Sequence, residues 1–346
     1  LSWDRYAMSK AREWRKAYGL RWKRRRLLWR ALRKRREMSA VRDRTDAIAP
    51  GDVLLFAVVR NEIERLPHFL DHYRRIGVDH FLVVDNASND GTGPFLAAQP
   101  DLSLWQTPHS YKQSRFGMDW LTWLMIRYGH GHWCVTVDAD EILIYPYHDE
   151  RSLKDLGRWL EVQGQQSFGA IMLDMYPKGP IGDQSYQPGD DPFEILSLFD
   201  AGNYTFTPQT DIANAWIRGG VRARYFFADR PERAPTMGKK PFVKWNRRFV
   251  YMNSTHSLLP CRLNPVHDLS GSMTTGILLH SKFLPSVIGR SLEEKERAEH
   301  FAVSSLYDSY YEGIAQNPDF RGPESVPFEG WEQLEELGLM ARGGWK

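Results

Sequence analysis

Three carboxyl groups fall within four residues at Asp138-Ala139-Asp140-Glu141, directly after the apolar run Trp133–Val137. Like charges placed together at the end of a buried strand raise each other's pKa unless a cation or hydrogen-bond donors compensate. A divalent metal such as Mg²⁺ or Mn²⁺, which prefers oxygen ligands and shares its sphere with substrate phosphates and water, would supply that compensation. The plainer alternative is a set of acids that caps the next segment. Two further polar clusters precede it, Arg60-Asn61-Glu62 and Asp85-Asn86-Ala87-Ser88-Asn89-Asp90-Gly91-Thr92. Taken alone, Asn61 could cap a helix and Asn89-Asp90-Gly91 could make an ordinary turn. The order of the three clusters, each behind an apolar run, is what points to chemistry.

These clusters need elements to hold them. Short apolar runs alternate with amphipathic segments, which predicts an α/β fold with a Rossmann-like, mostly parallel central sheet flanked by helices. Strands are expected at Val53–Val59, Phe81–Val84, Leu102–Trp105 and Trp133–Val137, with helices over Glu62–Ile76 and Arg115–Tyr128. Binding groups then gather beyond the carboxyl ends of the parallel strands, where all three clusters lie.

A chain of 346 residues, 42% hydrophobic and 26% charged, is long enough for one large domain and has the composition of an ordinary folded protein. Its two cysteines, Cys134 and Cys261, argue against a disulfide framework or a thiolate metal site, so a cytoplasmic, reducing setting is expected. No apolar run approaches the roughly 20 residues of a spanning helix.

The net charge of +3 is unevenly spread. Residues 1–37 hold 15 Lys and Arg against Asp4, Glu13 and Glu37, a surplus of +12 that leaves −9 for the rest. This arm is free of proline, and Trp14, Tyr18 and Trp22 recur at i+4, so a basic helix with an aromatic face is expected over residues 1–45. Such a helix suits the headgroup layer of an anionic membrane, which makes residues 1–38 a candidate attachment to the inner face of the cell membrane. Nucleic-acid binding is not expected, because no recognised nucleic-acid-binding pattern accompanies the arginines. A solvated helix or an oligomer contact is the other alternative.

Together, Arg60-Asn61-Glu62, Gly77-Val78-Asp79-His80, Val83-Val84-Asp85-Asn86, Asn89-Asp90-Gly91-Thr92 and Val137-Asp138-Ala139-Asp140-Glu141 resemble glycosyltransferase family 2 and its relatives of the GT-A fold, in particular a bacterial family-2-like branch. The resemblance runs from about 53 to 145 and extends more thinly to about 300. It implies a GT-A domain over 50–315, with a nucleotide-binding half at 50–145, an acceptor half at 146–315 and a tail at 316–346. It also implies contact of Asp85 with the nucleoside, a pocket lined by Arg60, Asn61 and Glu62 with Asp90 beside it, and Asp138 and Asp140 as an Asp-x-Asp motif for nucleotide and metal. Arg115 and Gly117 match a stretch that faces the sugar nucleotide.

Ile277-Leu278-Leu279-His280-Ser281-Lys282-Phe283 resembles the family's later segment, in which His280 would be a third metal or phosphate ligand; Ser281 stands where that family has Phe. His256 and His267 are weaker candidates. Gly219-Gly220-Val221-Arg222-Ala223-Arg224 also resembles this branch, with its arginines free to face phosphate or to follow a simple turn.

The implied reaction is inverting transfer of a sugar from a nucleotide-sugar donor, a UDP-sugar first, to a hydroxyl of a glycan or lipid-linked acceptor in polysaccharide, lipopolysaccharide or glycolipid synthesis, with Mn²⁺ or Mg²⁺. Inversion needs a carboxylate base. Asp174, after the apolar run Ile171–Leu173, is the first choice, with Asp229 and Asp268 as rivals. A metal-dependent nucleotidyltransferase and an inactive GT-A membrane scaffold are the competing functions. The first usually carries a Gly-rich loop after its first strand, which is missing after Val59; intact Asp138 and Asp140 speak against the second. A helix is expected over Ser291–Gln316 and a short terminal one over Trp331–Leu339.

Overall fold

The computed structural model describes residues 2–267, 271–291 and 308–346. Fifteen strands are present among them: β1 (Ser39–Arg42), β2 (Val53–Val59), β3 (His80–Asp85), β4 (Leu102–Gln106), β5 (Trp133–Thr136), β6 (Glu141–Ile144), β7 (Ser167–Asp174), β8 (Leu198–Asp200), β9 (Thr205–Gln209), β10 (Asn214–Arg218), β11 (Gly238–Lys244), β12 (Val250–Tyr251), β13 (Leu258–Leu259), β14 (Thr275–His280) and β15 (Ser325–Pro327). Nine of them form one sheet in the order β1-β4-β3-β2-β5-β11-β7-β14-β6, and the others pair as two-stranded ribbons.

The centre follows from sequence. β2 reads Val-Leu-Leu-Phe-Ala-Val-Val, and a strand apolar at every position is buried on both faces. Val53, Leu55, Ala57 and Val59 enter one core, while Leu54 and Phe56 enter the other, as the two-residue repeat of a strand requires. Helices α2 (Leu66–Arg75), α3 (Thr92–Ala97) and α4 (Met118–Leu124) connect β2, β3, β4 and β5, which run parallel. The chain steps from β2 through β3 to β4 on one side and returns to β5 on the other. The switch point therefore lies between β2 and β5, where a crevice opens beyond their carboxyl ends.

The expectation of a mostly parallel sheet is corrected by the other half. Among the described residues the sheet is mixed, with four parallel and four antiparallel pairings. β11 runs antiparallel between β5 and β7, β6 antiparallel to β14, and β1 antiparallel to β4. β11 carries Pro241 in the middle of a sheet, which costs a ladder hydrogen bond; its register with β7 shifts between Lys239 and Phe242, and that irregularity accommodates the proline.

Inserting β11 this way has a geometric result. The start of an antiparallel strand lies at the same edge as the ends of its parallel neighbours. Lys239 near the start of β11, Glu141 at the start of β6, Asp174 at the end of β7 and His280 at the end of β14 all reach one edge, and His280 stands in register with both Asp174 and Glu141. The connection 137–140 leaves β5 and leads to β6 at the far edge, so it passes the ends of the strands between them.

Residues 2–34 form one helix, α1. Leu27 and Ala31 are buried where it packs on the body, and Leu27 joins a small core with Val250, Met252 and Leu259. The helix expected over Arg115–Tyr128 begins only at Met118 and ends in a π-turn over Met125–Gly129. Of the helix expected over Ser291–Gln316, residues 292–307 lie outside the described residues, and Asp308–Ala315 is helical. The tail helix is Trp331–Glu336, and Trp331, Leu334 and Trp345 join the main core.

Candidate functional site

A cavity of about 1050 Å³ opens at the switch point. Arg60, Asn61, Glu62, Arg115, Asp138, Asp140 and His280 all line it, so seven of the expected site residues are brought together. Eleven Lys and Arg side chains line the cavity against four acids, Glu62, Asp138, Asp140 and Glu141. That imbalance makes the lining basic, which favours an anionic ligand over a cationic one.

The loop after β2 is tied to the loop after β3. Arg60 Nη1 donates to Asn86 O at 2.7 Å, Asn61 N to Ser88 Oγ at 2.9 Å, and Asn89 N to Asn61 Oδ1 at 2.9 Å. Asp90 belongs to this stitching, accepting from Ile63 N at 3.1 Å and Thr92 N at 3.0 Å. Asp85 is buried and accepts from Ser88 N at 3.0 Å and Ser88 Oγ at 2.5 Å. Neither acid is part of the cavity lining; both shape the loops, whereas Asn86 does reach it.

The opposite wall is held in unusual backbone. Arg115, Phe116 and Gly117 have successive φ values of 58°, 57° and 75°, a left-handed stretch that costs energy at the two non-glycine positions. Gly117 is the residue that permits it, since a Cβ there would stand 2.6 Å from Val58 Cγ2. Arg115 Nη2 donates to Tyr251 O at 2.6 Å, and its other amine is 3.3 Å from the buried Asp119.

The acidic loop is braced on both sides. Asp138 N donates to Glu141 Oε2 at 3.2 Å, and Ser281 N donates to Asp140 O at 2.8 Å. Ser281 Oγ adds a longer bond to the same carbonyl, so the serine that departs from the family pattern has a local use. Lys239, almost fully buried, donates to Asp138 Oδ2 at 3.0 Å and to Glu141 Oε1. Burial disfavours its charge, but the two carboxylates outweigh burial and raise its pKa. Burial pushes the Glu141 carboxyl up to about 7 despite that ammonium, with Asp138 and Asp140 adding to the rise.

A second chain of charges ends at the cavity. Arg222 Nε donates to Asp174 Oδ2 at 2.7 Å, His280 Nδ1 lies 2.6 Å from Asp174 Oδ1, and His280 Nε2 lies 3.0 Å from Asp140 Oδ2. Burial opposes ionisation of each, yet the charges support one another. His280 is shifted up by Asp140 and Asp174, Asp140 is held well below the usual carboxylate range by His280, and Asp174 is lowered to about 2 by Arg222 and His280. Lys282 also lines the cavity, its ammonium disfavoured by burial.

Asp174 is buried, is not part of the lining and has both oxygens engaged. A carboxyl so held, with a pKa far below neutrality, is poorly suited to take a proton from an acceptor. Asp229 is exposed outside the cavity, and Asp268 lies outside the described residues. Of the two arginines after the glycine pair, Arg222 lines the cavity, whereas Arg224 turns away to Asp200 and Phe320 O. His256 reaches the lining and His267 does not.

Ligand atoms of Asp140, Glu141 and His280 lie within 4.8 Å of one another. Carboxylate oxygens suit Mn²⁺ or Mg²⁺, an imidazole is the more usual ligand of later transition metals, and an imidazole whose far nitrogen is held by a carboxylate is the usual outer arrangement around a metal-binding histidine. The donor types are compatible with a divalent ion, and the same groups are joined here by ion pairs, Glu141 to Lys239 and His280 to Asp140 and Asp174. Asp138, expected beside them, faces Lys239 instead.

Lys239, Arg65, Lys282 and Arg290 were not singled out as site residues from sequence. Arg290 bridges Glu62 at 2.7 Å and Asn61 O at 2.6 Å, and Arg65 joins Glu62, Glu64 and Ser281 O. The basic run Lys239-Lys240 was a visible signal for the first, and Lys282 stands in the segment Ile277–Phe283 beside His280; nothing local marked Arg65 and Arg290. Among known proteins, no family model matches the chain and no curated protein matches it significantly.

Proposed function

We propose that the protein is a GT-A glycosyltransferase resembling family 2, transferring a sugar with inversion from a nucleotide-sugar donor, a UDP-sugar first, to a hydroxyl of a glycan or lipid-linked acceptor. The observation that carries this reading is the pairing of a strongly basic cavity with a carboxylate–imidazole cluster at the switch point of the sheet. A nucleoside diphosphate needs both, cations for its phosphates and oxygen donors for its metal.

In this reaction the acceptor oxygen bonds to the anomeric carbon while the bond from that carbon to the diphosphate breaks, the electron pair leaving with the phosphate oxygen. Mn²⁺ or Mg²⁺ held by Asp140 and His280 would neutralise the departing diphosphate, a stabilisation of several kcal/mol. Asp174 fixes the imidazole, and Arg222 fixes Asp174. Lys282 and Arg65 contribute positive charge beside the same acids. The acceptor proton goes to a carboxylate that reaches the cavity, which leaves Glu62, Asp138 and Glu141 rather than Asp174, or Asp140, whose carboxyl is held well below the usual range and would hold the metal.

The test is product analysis with a panel of nucleotide sugars and Mn²⁺, using the wild type, Asp138→Ala and Asp140→Ala. Release of nucleoside diphosphate that both substitutions abolish supports transfer. Pyrophosphate as the product would indicate nucleotidyl transfer, and turnover indifferent to both substitutions would reject the site.

A further inference from the structure

Helix α1 has two faces of different character. At about 100° per residue, Trp14, Tyr18, Trp22 and Trp29 fall within an arc of about 80°. They are 72%, 61%, 54% and 60% exposed, so this arc is an aromatic stripe open to solvent, interrupted by Arg25. Leu27 and Ala31 lie on the opposite side and are buried against the body.

The cations divide in the same way. On the inner side Lys16 pairs with Asp211, Arg30 with Asp119 at 2.8 Å, and Lys34 with Glu37 at 2.5 Å. Arg15 and Arg21 flank the aromatic stripe and Arg25 lies within it, and none has an ion-pair partner among the described residues; Arg25 stands 6.0 Å from the centre of the Trp22 ring. Three inward cations are thus met by the protein, whereas Arg15, Arg21 and Arg25 on the outer side are not.

We propose that this outer face of α1 seats the protein on an anionic lipid surface. Tryptophan and tyrosine prefer the boundary between headgroup and acyl chain, and each arginine beside an anionic surface strengthens partition about fivefold. A second copy of this chain is a poor occupant, because its own stripe would bring like-charged arginines against these. Lys23, Arg26 and Arg30, at the margin of the inner face, line the cavity, so the same helix that would meet the lipid also forms part of the cavity wall. The inference is independent of which reaction the cavity performs.

The experiment is flotation of the full chain with vesicles of pure phosphatidylcholine or of phosphatidylcholine mixed with phosphatidylglycerol. Two surface variants accompany it, Trp14→Ala/Tyr18→Ala/Trp22→Ala and Arg15→Glu/Arg21→Glu/Arg25→Glu. Expected are binding to the mixed vesicles only and at least a tenfold loss in either variant, with melting temperature unchanged. Equal binding to neutral vesicles, no binding to mixed ones, or unaltered binding by both variants overturns the proposal. So does an oligonucleotide that binds more tightly than the mixed vesicles and is lost with the same substitutions, or a dimer that dissociates with the aromatic substitutions.

Discussion

His280 and Asp174 face each other at the ends of two parallel strands, with Nδ1 and Oδ1 2.6 Å apart, and the imidazole's other nitrogen is aimed at Asp140 in the cavity. This relation makes Asp174 a positioning residue. Asp174→Asn should weaken Mn²⁺ affinity by about ten- to a hundredfold, as loss of an outer-shell partner does. Isothermal titration with Mn²⁺ alone reads this directly. Unchanged Mn²⁺ binding accompanied by lost turnover would return Asp174 to the role of base.

Lys239 offers a stability test. Its ammonium is buried between Asp138 and Glu141, and Lys239→Met leaves Glu141 in place without its cation. Removing one partner of a buried ion pair costs about 3 kcal/mol or more. The urea midpoint should fall accordingly, and Lys239→Met/Glu141→Gln should recover part of the loss. A variant as stable as the wild type would show that the pair is dispensable.

The pH dependence of folding should carry the mark of His72. Burial lowers its pKa to about 3, and its Nε2 sits 2.9 Å from Leu143 O. The unfolded imidazole titrates near 6.5, so below that pH the unfolded chain gains a proton that the folded chain refuses. Stability is complete above about 6.5 and declines by about 1.4 kcal/mol for each pH unit down towards 3. His72→Gln should flatten this acid limb in urea titrations at several pH values, and an identical slope in the variant would remove His72 as its source.

Gly117 should tolerate no side chain. Gly117→Ala adds a Cβ at 2.6 Å from Val58 in left-handed backbone, a strain of about 1–3 kcal/mol. Because Arg115 and Phe116 form the adjacent wall, nucleotide binding measured by thermal shift should weaken along with stability. Full retention of both would mean that the wall relaxes freely.

The parallel half of the fold was readable because its signals are local. The seven apolar residues of β2 and the polar groups directly after β2, β3 and β5 sit together in the sequence, and the cavity lies where those ends predict. The mixed half was not. β11 reads Gly-Lys-Lys-Pro-Phe-Val-Lys, which suggests a basic surface segment, and it is buried because Asp138 and Glu141, about a hundred positions earlier, neutralise Lys239 while Asn214 and the His256 carbonyl accept from Lys240. The same distance in sequence separates Asp174 from His280, so a residue expected from its own strand to be the base is engaged by a partner that strand does not reveal. Asp85 and Asp90 illustrate the reverse, since groups in a suggestive motif are consumed by turns.

Helix α1 cannot be treated as a detachable handle. Shortening the chain at residue 38 would strip Arg30 from Asp119, which is wholly enclosed, expose the underside of Met252 and Leu259, and take Lys23 and Arg26 out of the cavity rim. A truncated protein with diminished turnover would thus speak to a breached pocket as much as to lost anchorage, whereas point changes confined to the outward aromatics keep the two apart.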